Sequence, residues 1–166
     1  MNKLVTVITP SYNSARFIKE CVTSVIDQSY INWELIIVDD CSIDNSRDII
    51  LELSVKDERI KYIFLEKNVG VAEARNIAIR KAQGKYIAFL DSDDLWLSNK
   101  LEKQIAFMQE KQIAFSFTTY QIMSEDGSQL KNIITAPKKM TYSSYLKNTI
   151  IGCLTVVIDV EKTGNI

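Results

Sequence analysis

The sequence predicts an α/β fold: a mostly parallel sheet with helices on both faces and a smaller antiparallel addition. Three observations predict it. Through about residue 110, short apolar runs alternate with segments whose apolar positions recur at helical spacing. Strands that alternate with helices of about 10–15 residues imply crossover units and parallel neighbours. After about residue 112 the pattern turns to β-forming runs joined by an Asp-Gly turn, which implies an antiparallel pair.

The elements follow in order. Leu4–Ile8 reads as a buried strand ending in Thr9-Pro10. Ser14 is expected to cap a helix whose stripe is Phe17, Ile18, Cys21, Val22, Val25 and Ile26. Leu35–Val38 is the second strand, and Arg47–Val55 carries Ile49, Ile50 and Leu53 on the second helix. Ile60–Leu65 is the third strand, with Lys61 and Tyr62 at the polar phase. Val71–Ala82 is the third helix, with Gly84 expected as its left-handed terminator. Tyr86–Leu90 is the fourth strand. Ser98 is expected to cap a fourth helix carrying Leu101, Ile105 and Met108. Ala114–Met123 and Leu130–Ile134, joined by Ser124-Glu125-Asp126-Gly127, predict a hairpin packed onto the first sheet. Pro137 with Lys138-Lys139 marks a loop, Tyr142–Lys147 reads as a short helix, and Thr155–Ile158 as a last strand.

At 166 residues the chain suits one continuous domain, with an α/β part over 1–112 and a smaller part over 113–166. Twenty Lys and Arg against 21 Asp and Glu leave a net charge of −1, which does not suit a nucleic-acid partner. The chain has no histidine, which excludes Ser-His-Asp and Cys-His catalysis and histidine-ligated zinc. Cys21, Cys41 and Cys153 are dispersed and odd in number. They argue against a disulfide scaffold and fit a reducing cytosol. No stretch approaches the roughly 20 apolar residues that span a bilayer, so the chain is expected to be soluble and cytoplasmic.

Three apolar strands end in polar clusters: Thr9-Pro10-Ser11-Tyr12-Asn13, Asp39-Asp40-Cys41-Ser42 and Asp91-Ser92-Asp93-Asp94. In open α/β sheets the ligand crevice lies beyond the carboxyl ends of the strands, at the topological switch point. Five carboxylates and an aromatic ring are thus delivered to one sheet edge. Asp91, Asp93 and Asp94 repel one another, and a hard divalent cation shared with substrate phosphates would balance them. The alternative is an acidic loop favouring a helix amino end. Asp39 and Asp40 read either as helix caps or as acceptors for a base N–H or a ribose hydroxyl. Pro10 and Tyr12 read as packing or as a wall against a planar ring. Arg75 reads as a surface residue or as a diphosphate ligand, for which a guanidinium is well shaped. Neither GxGxxG nor GxxxxGK[ST] occurs, so a dinucleotide fingerprint and a phosphate loop are unsupported.

In order and spacing, the segments VTVITPSYN (5–13), SVIDQSY (24–30), WELIIVDDCS (33–42), NVGVAEARNIA (68–78) and GKYIAFLDSDDLW (84–96) resemble glycosyltransferase family two, the inverting enzymes of the GT-A fold. The resemblance covers residues 1 to about 110 well and the remainder loosely. It implies a nucleotide-diphospho-sugar donor, usually a UDP-sugar, and Mn2+ or Mg2+. Pro10 and Tyr12 would line the base pocket with Thr9 nearby. Asp40 would bind the base, Asp39 would support its turn, and Arg75 would lie near base or diphosphate. Asp91-Ser92-Asp93 matches the family's DxD signature, with Asp93 the first metal contact, Asp94 a second candidate, and Asp91 serving ribose or metal.

The resemblance further implies transfer to a saccharide or lipid-linked saccharide hydroxyl with inversion, in bacterial surface polysaccharide synthesis. It leaves room for peripheral contact with the inner face of the membrane and for a homo-oligomer. Such transfer needs a carboxylate base. In the family this is an Asp or Glu of a later segment. Neither Asp126 nor Asp159 matches it, so the base is expected beyond Ile166 and the chain is expected to be a truncated form. The competing reading is a nucleotide-sugar-binding module without transfer. Receiver domains and haloacid-dehalogenase-like phosphatases fit poorly, because here the acidic pairs follow the second and fourth strands and the first strand carries no Asp.

Overall fold

Val5–Ser11 forms the central strand, β1, and all seven of its residues are buried. The computed structural model describes residues 3–137, 141, 143 and 150–164. On one side of β1 lies β2 (Trp33–Asp39), parallel and in register from Val5 opposite Trp33 to Ser11 opposite Asp39. On the other lies β4 (Tyr86–Phe89), also parallel. The strand β3 (Ile60–Phe64) extends the sheet beyond β2. Two short strands complete it: β8 (Val157–Asp159), antiparallel to β4, and β5 (Phe115–Ser116), antiparallel to β8. The order is β3-β2-β1-β4-β8-β5. Strands from either side of residue 112 therefore share one sheet. A separate antiparallel pair joins β6 (Tyr120–Met123) to β7 (Leu130–Ile134).

Alternation along buried strands sends side chains to two apolar layers. Val5, Val7, Leu35 and Ile37 face α1 (Ile18–Ile26), α2 (Ser46–Lys56) and α4 (Lys100–Lys111), and pack with Ile18, Val22, Ile50, Leu101, Ile105 and Met108. Ile8, Ile36, Val38 and Ile87 face α3 (Val71–Ile79), which presents Ala74 and Ala78. The alanines let α3 approach the sheet closely, and its N-terminus thereby reaches the sheet edge. Among the described residues no helix is long and apolar enough to cross a membrane.

Several local expectations change. Ser14 is not a side-chain cap: its hydroxyl bonds Ser11 Oγ at 2.7 Å, its carbonyl accepts the Phe17 and Ile18 amides, and α1 starts at Ile18. Ser98 uses its carbonyl to accept the Ser29 amide, and α4 starts at Lys100 after Asn99. The helix α3 ends at Ile79, so Gly84 does not terminate it. A Cβ on Gly84 would instead stand 2.6 Å from the Thr6 nitrogen and 2.7 Å from its Oγ1. Glycine is required there for close approach to β1. Finally, the predicted last strand begins later, because Cys153–Thr155 forms a single 3-10 turn before β8. The Asp-Gly hairpin forms between β6 and β7, with Gly127 at φ +72°, but the predicted run Ala114–Met123 is broken: Phe115–Ser116 pairs in the six-stranded sheet as β5 and only Tyr120–Met123 forms the hairpin arm. The predicted helix Tyr142–Lys147 lies, apart from Ser143, outside the described residues.

Candidate functional site

At the carboxyl ends of β1, β2 and β4, a cavity of about 450 Å3 opens against the N-terminus of α3. The chain leaves β1 for β2 on one side and returns to β4 on the other, so the opening lies at the topological switch point. Its lining is Pro10 and Ser11 at the end of β1 and Tyr12 after it, Asp40 after β2, Asn68, Gly70, Val71 and Arg75 around the start of α3, and Asp91, Ser92 and Asp93 after β4.

The first wall is stitched to the second. The successive backbone N–H groups of Asn13, Ser14 and Ala15 donate to Ser42 Oγ (2.9 Å), Ser46 Oγ (2.8 Å) and Asp44 Oδ2 (3.0 Å). Asn13 accepts the Ile43 amide in return at 2.9 Å and takes a left-handed φ of 49°. Those bonds hold the turn from which the half-exposed Tyr12 ring projects.

Asp40 is buried and occupied. Its Oδ1 accepts the Val69 amide at 2.7 Å and its Oδ2 the Gly70 amide at 2.8 Å, while its carbonyl accepts Asn68 Nδ2 at 3.2 Å. One carboxylate thus fixes the loop that forms the facing wall. Each oxygen keeps a further lone pair for a donor in the cavity. Asp39 and Thr9 lie beneath the site rather than in its lining. Both are buried, and among the described residues Thr9 Oγ1 and Asp39 Oδ2 have no hydrogen-bond partner.

The third wall is the acidic turn. The Asp94 amide donates to the Asp91 carbonyl at 3.0 Å, and the buried Cys21 thiol sits beneath that same carbonyl at 3.5 Å. Arg75 Nη2 donates to Asp91 Oδ1 at 2.5 Å, so helix α3 and the turn meet across the cavity. Asp94 is not among the lining residues. Burial, with the charges of Asp93 and Asp91 adding to it, raises its pKa to about 6. Burial and the same three carboxylates push the Cys21 thiol well above its usual range.

Of the residues singled out from sequence, Pro10, Tyr12, Asp40, Arg75, Asp91, Ser92 and Asp93 converge on one opening. Thr9, Asp39 and Asp94 stand behind it. Sequence reasoning overlooked Ser11, Asn68, Gly70 and Val71 as lining, and Asp44, Ser46 and Arg47 as supports. The short-range signal for the supports was present: Ser, Asp and Ser at alternate positions 42, 44 and 46 after a strand can meet the amides of a neighbouring turn.

Among the described residues no group of three Cys, Asp or Glu side chains is gathered to hold a metal by itself. Asp93 faces the cavity without an ion-pair partner among the salt bridges of the described residues, and Asp91 is shared with Arg75. One or two carboxylates beside an open cavity fit Mg2+ or Mn2+, which complete their shell with phosphate oxygens and water. The donor set fits a cation held jointly with a phosphate ligand.

Comparison with known proteins agrees with this geometry. Residues 6–158 match the family described as Glycosyl transferase family 2. The Bacillus subtilis (strain 168) protein named as the teichuronic acid biosynthesis glycosyltransferase TuaG is 58% identical over 163 residues, 98% of this chain and 65% of that protein. The Escherichia coli UDP-Glc:alpha-D-GlcNAc-diphosphoundecaprenol beta-1,3-glucosyltransferase WfgD is 48% identical over 94% of this chain and 60% of that protein. The chain therefore spans less than two thirds of the length of these curated relatives. Among solved structures, residues 1–349 of S. aureus TarS superpose with a TM-score of 0.76 at 26% identity, over 96% of this chain and 48% of that one. The complex of the same TarS fragment with UDP-GlcNAc superposes with a TM-score of 0.63 at 33% identity, over 67% of this chain and 32% of that one. The family match spans the central sheet and every wall of the cavity, and the chain belongs to glycosyl transferase family 2.

Proposed function

We propose that this chain is the donor-binding part of a glycosyltransferase that takes a UDP-sugar and passes the sugar to an acceptor hydroxyl with inversion. The observation that carries the reading is the single cavity in which Tyr12 and Pro10, the Asp40 carboxylate, Arg75 and the Asp91-Ser92-Asp93 turn converge. Tyr12 and Pro10 offer an aromatic and apolar wall to the uracil ring. Asp40 accepts the base N–H while continuing to hold Val69 and Gly70, and Asp39 supports its turn from below. Arg75 offers its guanidinium to the diphosphate. The UDP donor is supported by the UDP-GlcNAc complex of TarS and by the UDP-Glc in the name of WfgD. WfgD's name also supports a lipid-diphosphate-linked saccharide as the class of acceptor, and TuaG's supports surface polysaccharide synthesis. On this reading the chain works at the inner face of the membrane, which the lipid-linked acceptor in WfgD's name supports.

Asp93 would hold Mg2+ or Mn2+, with Asp91 joining it and Asp94 behind. The cation's chemistry is to neutralise charge that grows on the leaving nucleotide. The residues themselves set the geometry. The Arg75–Asp91 pair aligns the diphosphate side of the cavity, and the acceptor oxygen approaches the anomeric carbon from the opposite face.

A second reading, donor binding without transfer, is favoured by where the remaining candidate bases stand. Asp126 sits in the hairpin turn, bonded to Ser124 and Ser128. Asp159 is buried, accepting the Glu161 amide with Lys85 Nζ 3.6 Å away. Neither lines the cavity.

Titration calorimetry of UDP into the chain tests both readings, first with Mn2+ and then with EDTA. Micromolar to millimolar binding that needs the metal, and that Asp93→Ala abolishes in a folded protein, is the expected result. Unchanged metal-dependent affinity in Asp93→Ala would sink the assignment of that residue. Assaying transfer from UDP-sugars with the same preparation separates an enzyme from a binding module.

A further inference from the structure

Arg47 has no place in the cavity, yet β2, whose end helps build the cavity, and its neighbour β3 both end on it. Its Nε donates to Asp39 Oδ1 at 2.7 Å and its Nη2 to the Leu65 carbonyl at 2.6 Å. Its guanidinium also lies 5.1 Å from the Phe64 ring centroid. Asp39 is the last residue of β2, Phe64 the last of β3, and Leu65 opens the loop to α3. The same junction is closed by the Leu65 amide, which donates to the Asp39 carbonyl at 2.9 Å.

The loop that starts at Leu65 is held at two places. Asp40 secures its far end through the amides of Val69 and Gly70. Arg47 secures its near end through the Leu65 carbonyl. Between them lies Asn68, which lines the cavity. Asp39 and Asp40 are consecutive, so the carboxylate that Arg47 neutralises and the carboxylate that faces the ligand belong to one turn. Asp39 Oδ1 also accepts the Ser42 amide at 3.1 Å, and Ser42 Oγ accepts the Asn13 amide beside Tyr12. Asp39 is fully buried, and the Arg47 guanidinium is its ion-pair partner. A planar guanidinium can serve a carboxylate and a carbonyl at once, where an ammonium has one donor head.

We infer that Arg47 is a positioning residue for the base side of the cavity, acting through the Asp39 carboxylate and the Leu65 carbonyl; the inference rests on the nucleotide reading above. It touches neither ligand nor metal. It sets where Asp40, Asn68 and the Tyr12 turn stand. The diphosphate side, built on Asp91 and Asp93 after β4, is outside its reach.

The test is calorimetry on the natural chain, Arg47→Lys, and the double variant Arg47→Met with Asp39→Asn. The double variant removes both buried charges together, so no unpaired carboxylate is left to unfold the protein. Circular dichroism checks that it folds. Uridine and UDP are expected to bind about tenfold more weakly, equivalent to the loss of one charge-assisted hydrogen bond. Inorganic diphosphate with Mn2+ is expected to bind as in the natural chain. Arg47→Lys is expected between the two for uridine, and it carries the test if the double variant does not fold. Uridine affinity unchanged in a folded variant would overturn the inference. So would an equal loss for uridine and diphosphate, which marks a general structural role. A natural chain that binds neither uridine nor UDP overturns the nucleotide reading first and this inference with it.

Discussion

Buried carboxylates do two different jobs in this chain. Glu34 stands at the amino end of the sheet, far from the cavity. Its Oε1 accepts Thr6 Oγ1 at 2.6 Å and the Gln83 amide at 2.8 Å, and its Oε2 accepts Lys61 Nζ at 2.6 Å. It thereby ties β1, β2, β3 and the loop before β4 together. Burial works to raise its pKa, but Lys61, the Thr6 hydroxyl and the Gln83 amide outweigh that and hold it below the ordinary carboxylate value. The folded state therefore binds fewer protons than the unfolded chain. The stabilisation is complete above the unfolded pKa of about 4.3 and is lost as pH falls through the folded value. Glu34→Ala should cost about 1–3 kcal/mol, because it leaves a buried hydroxyl and an amide without an acceptor. Urea unfolding at pH 7 measures that loss. The gap between the two proteins should shrink at pH 3, and a gap that stays constant would contradict the account. Asp40 does the other job. It spends both oxygens on Val69 and Gly70 and still faces the cavity. Asp40→Asn can accept only one of those amides, so uridine and UDP should weaken by the same factor, about tenfold. A loss confined to the diphosphate in parallel calorimetric titrations would move Asp40 out of the base pocket.

At the scale of elements, helix α4 begins with a residue that fits its surroundings badly. Lys100 Nζ is buried with no hydrogen-bond partner among the described residues, 3.8 Å from the Trp96 ring centroid. The amino end of a helix is unfavourable for a cation. Burial lowers its pKa to about 7. Contact with the indole face returns at most about 2 kcal/mol, so desolvation wins. Between about pH 7 and the unfolded value of about 10.4, the unfolded chain binds the extra proton. Stability should therefore rise with pH across that window, from a floor below pH 7 where both states carry the charge. Lys100→Met, similar in volume and without charge, should be more stable than the natural chain by about 1–3 kcal/mol at pH 6.5. Guanidinium unfolding at pH 6.5 and pH 9 checks this, and the advantage should narrow at the higher pH. The sequence showed this helix clearly but not its start. Apolar spacing located Leu101, Ile105 and Met108, whereas the choice between Ser98 and Asn99 depended on a tertiary bond from Ser29. Gly84 followed the same logic. Its position after a helix suggested a left-handed turn, and only the contact with Thr6 across the sheet gives its reason.

For the whole molecule, legibility in the sequence followed range. The order of strands and helices, and the delivery of Tyr12, Asp40 and the Asp91–Asp93 turn to one edge, follow from local periodicity and the handed connections of parallel strands. The insertion of β8 between β4 and β5 depends on residues far apart in the chain and left no local signal. The supports at Asp44 and Ser46 left a local signal in the alternate Ser-Asp-Ser spacing but none for which turn they hold, and the partners of Arg47 lie elsewhere in the chain. This division of the molecule predicts where a ligand will be felt. Every cavity residue after β1, β2 and β4 is anchored to the six-stranded sheet. The β6–β7 pair is a separate sheet, joined to the turn beyond Tyr12 by the exposed Arg16–Glu125 ion pair. Exposed pairs contribute little, so this joint transmits little. UDP with Mn2+, at 100 times its dissociation constant, should stabilise the sheet by about 2.7 kcal/mol. Hydrogen exchange should slow at the amides of 12–15, 40–42, 68–71 and 91–94, while 120–134 exchanges as before. Protection of the hairpin without protection of 68–71 would place the ligand elsewhere, because the amides of Val69 and Gly70 sit on Asp40, the carboxylate proposed to receive the base.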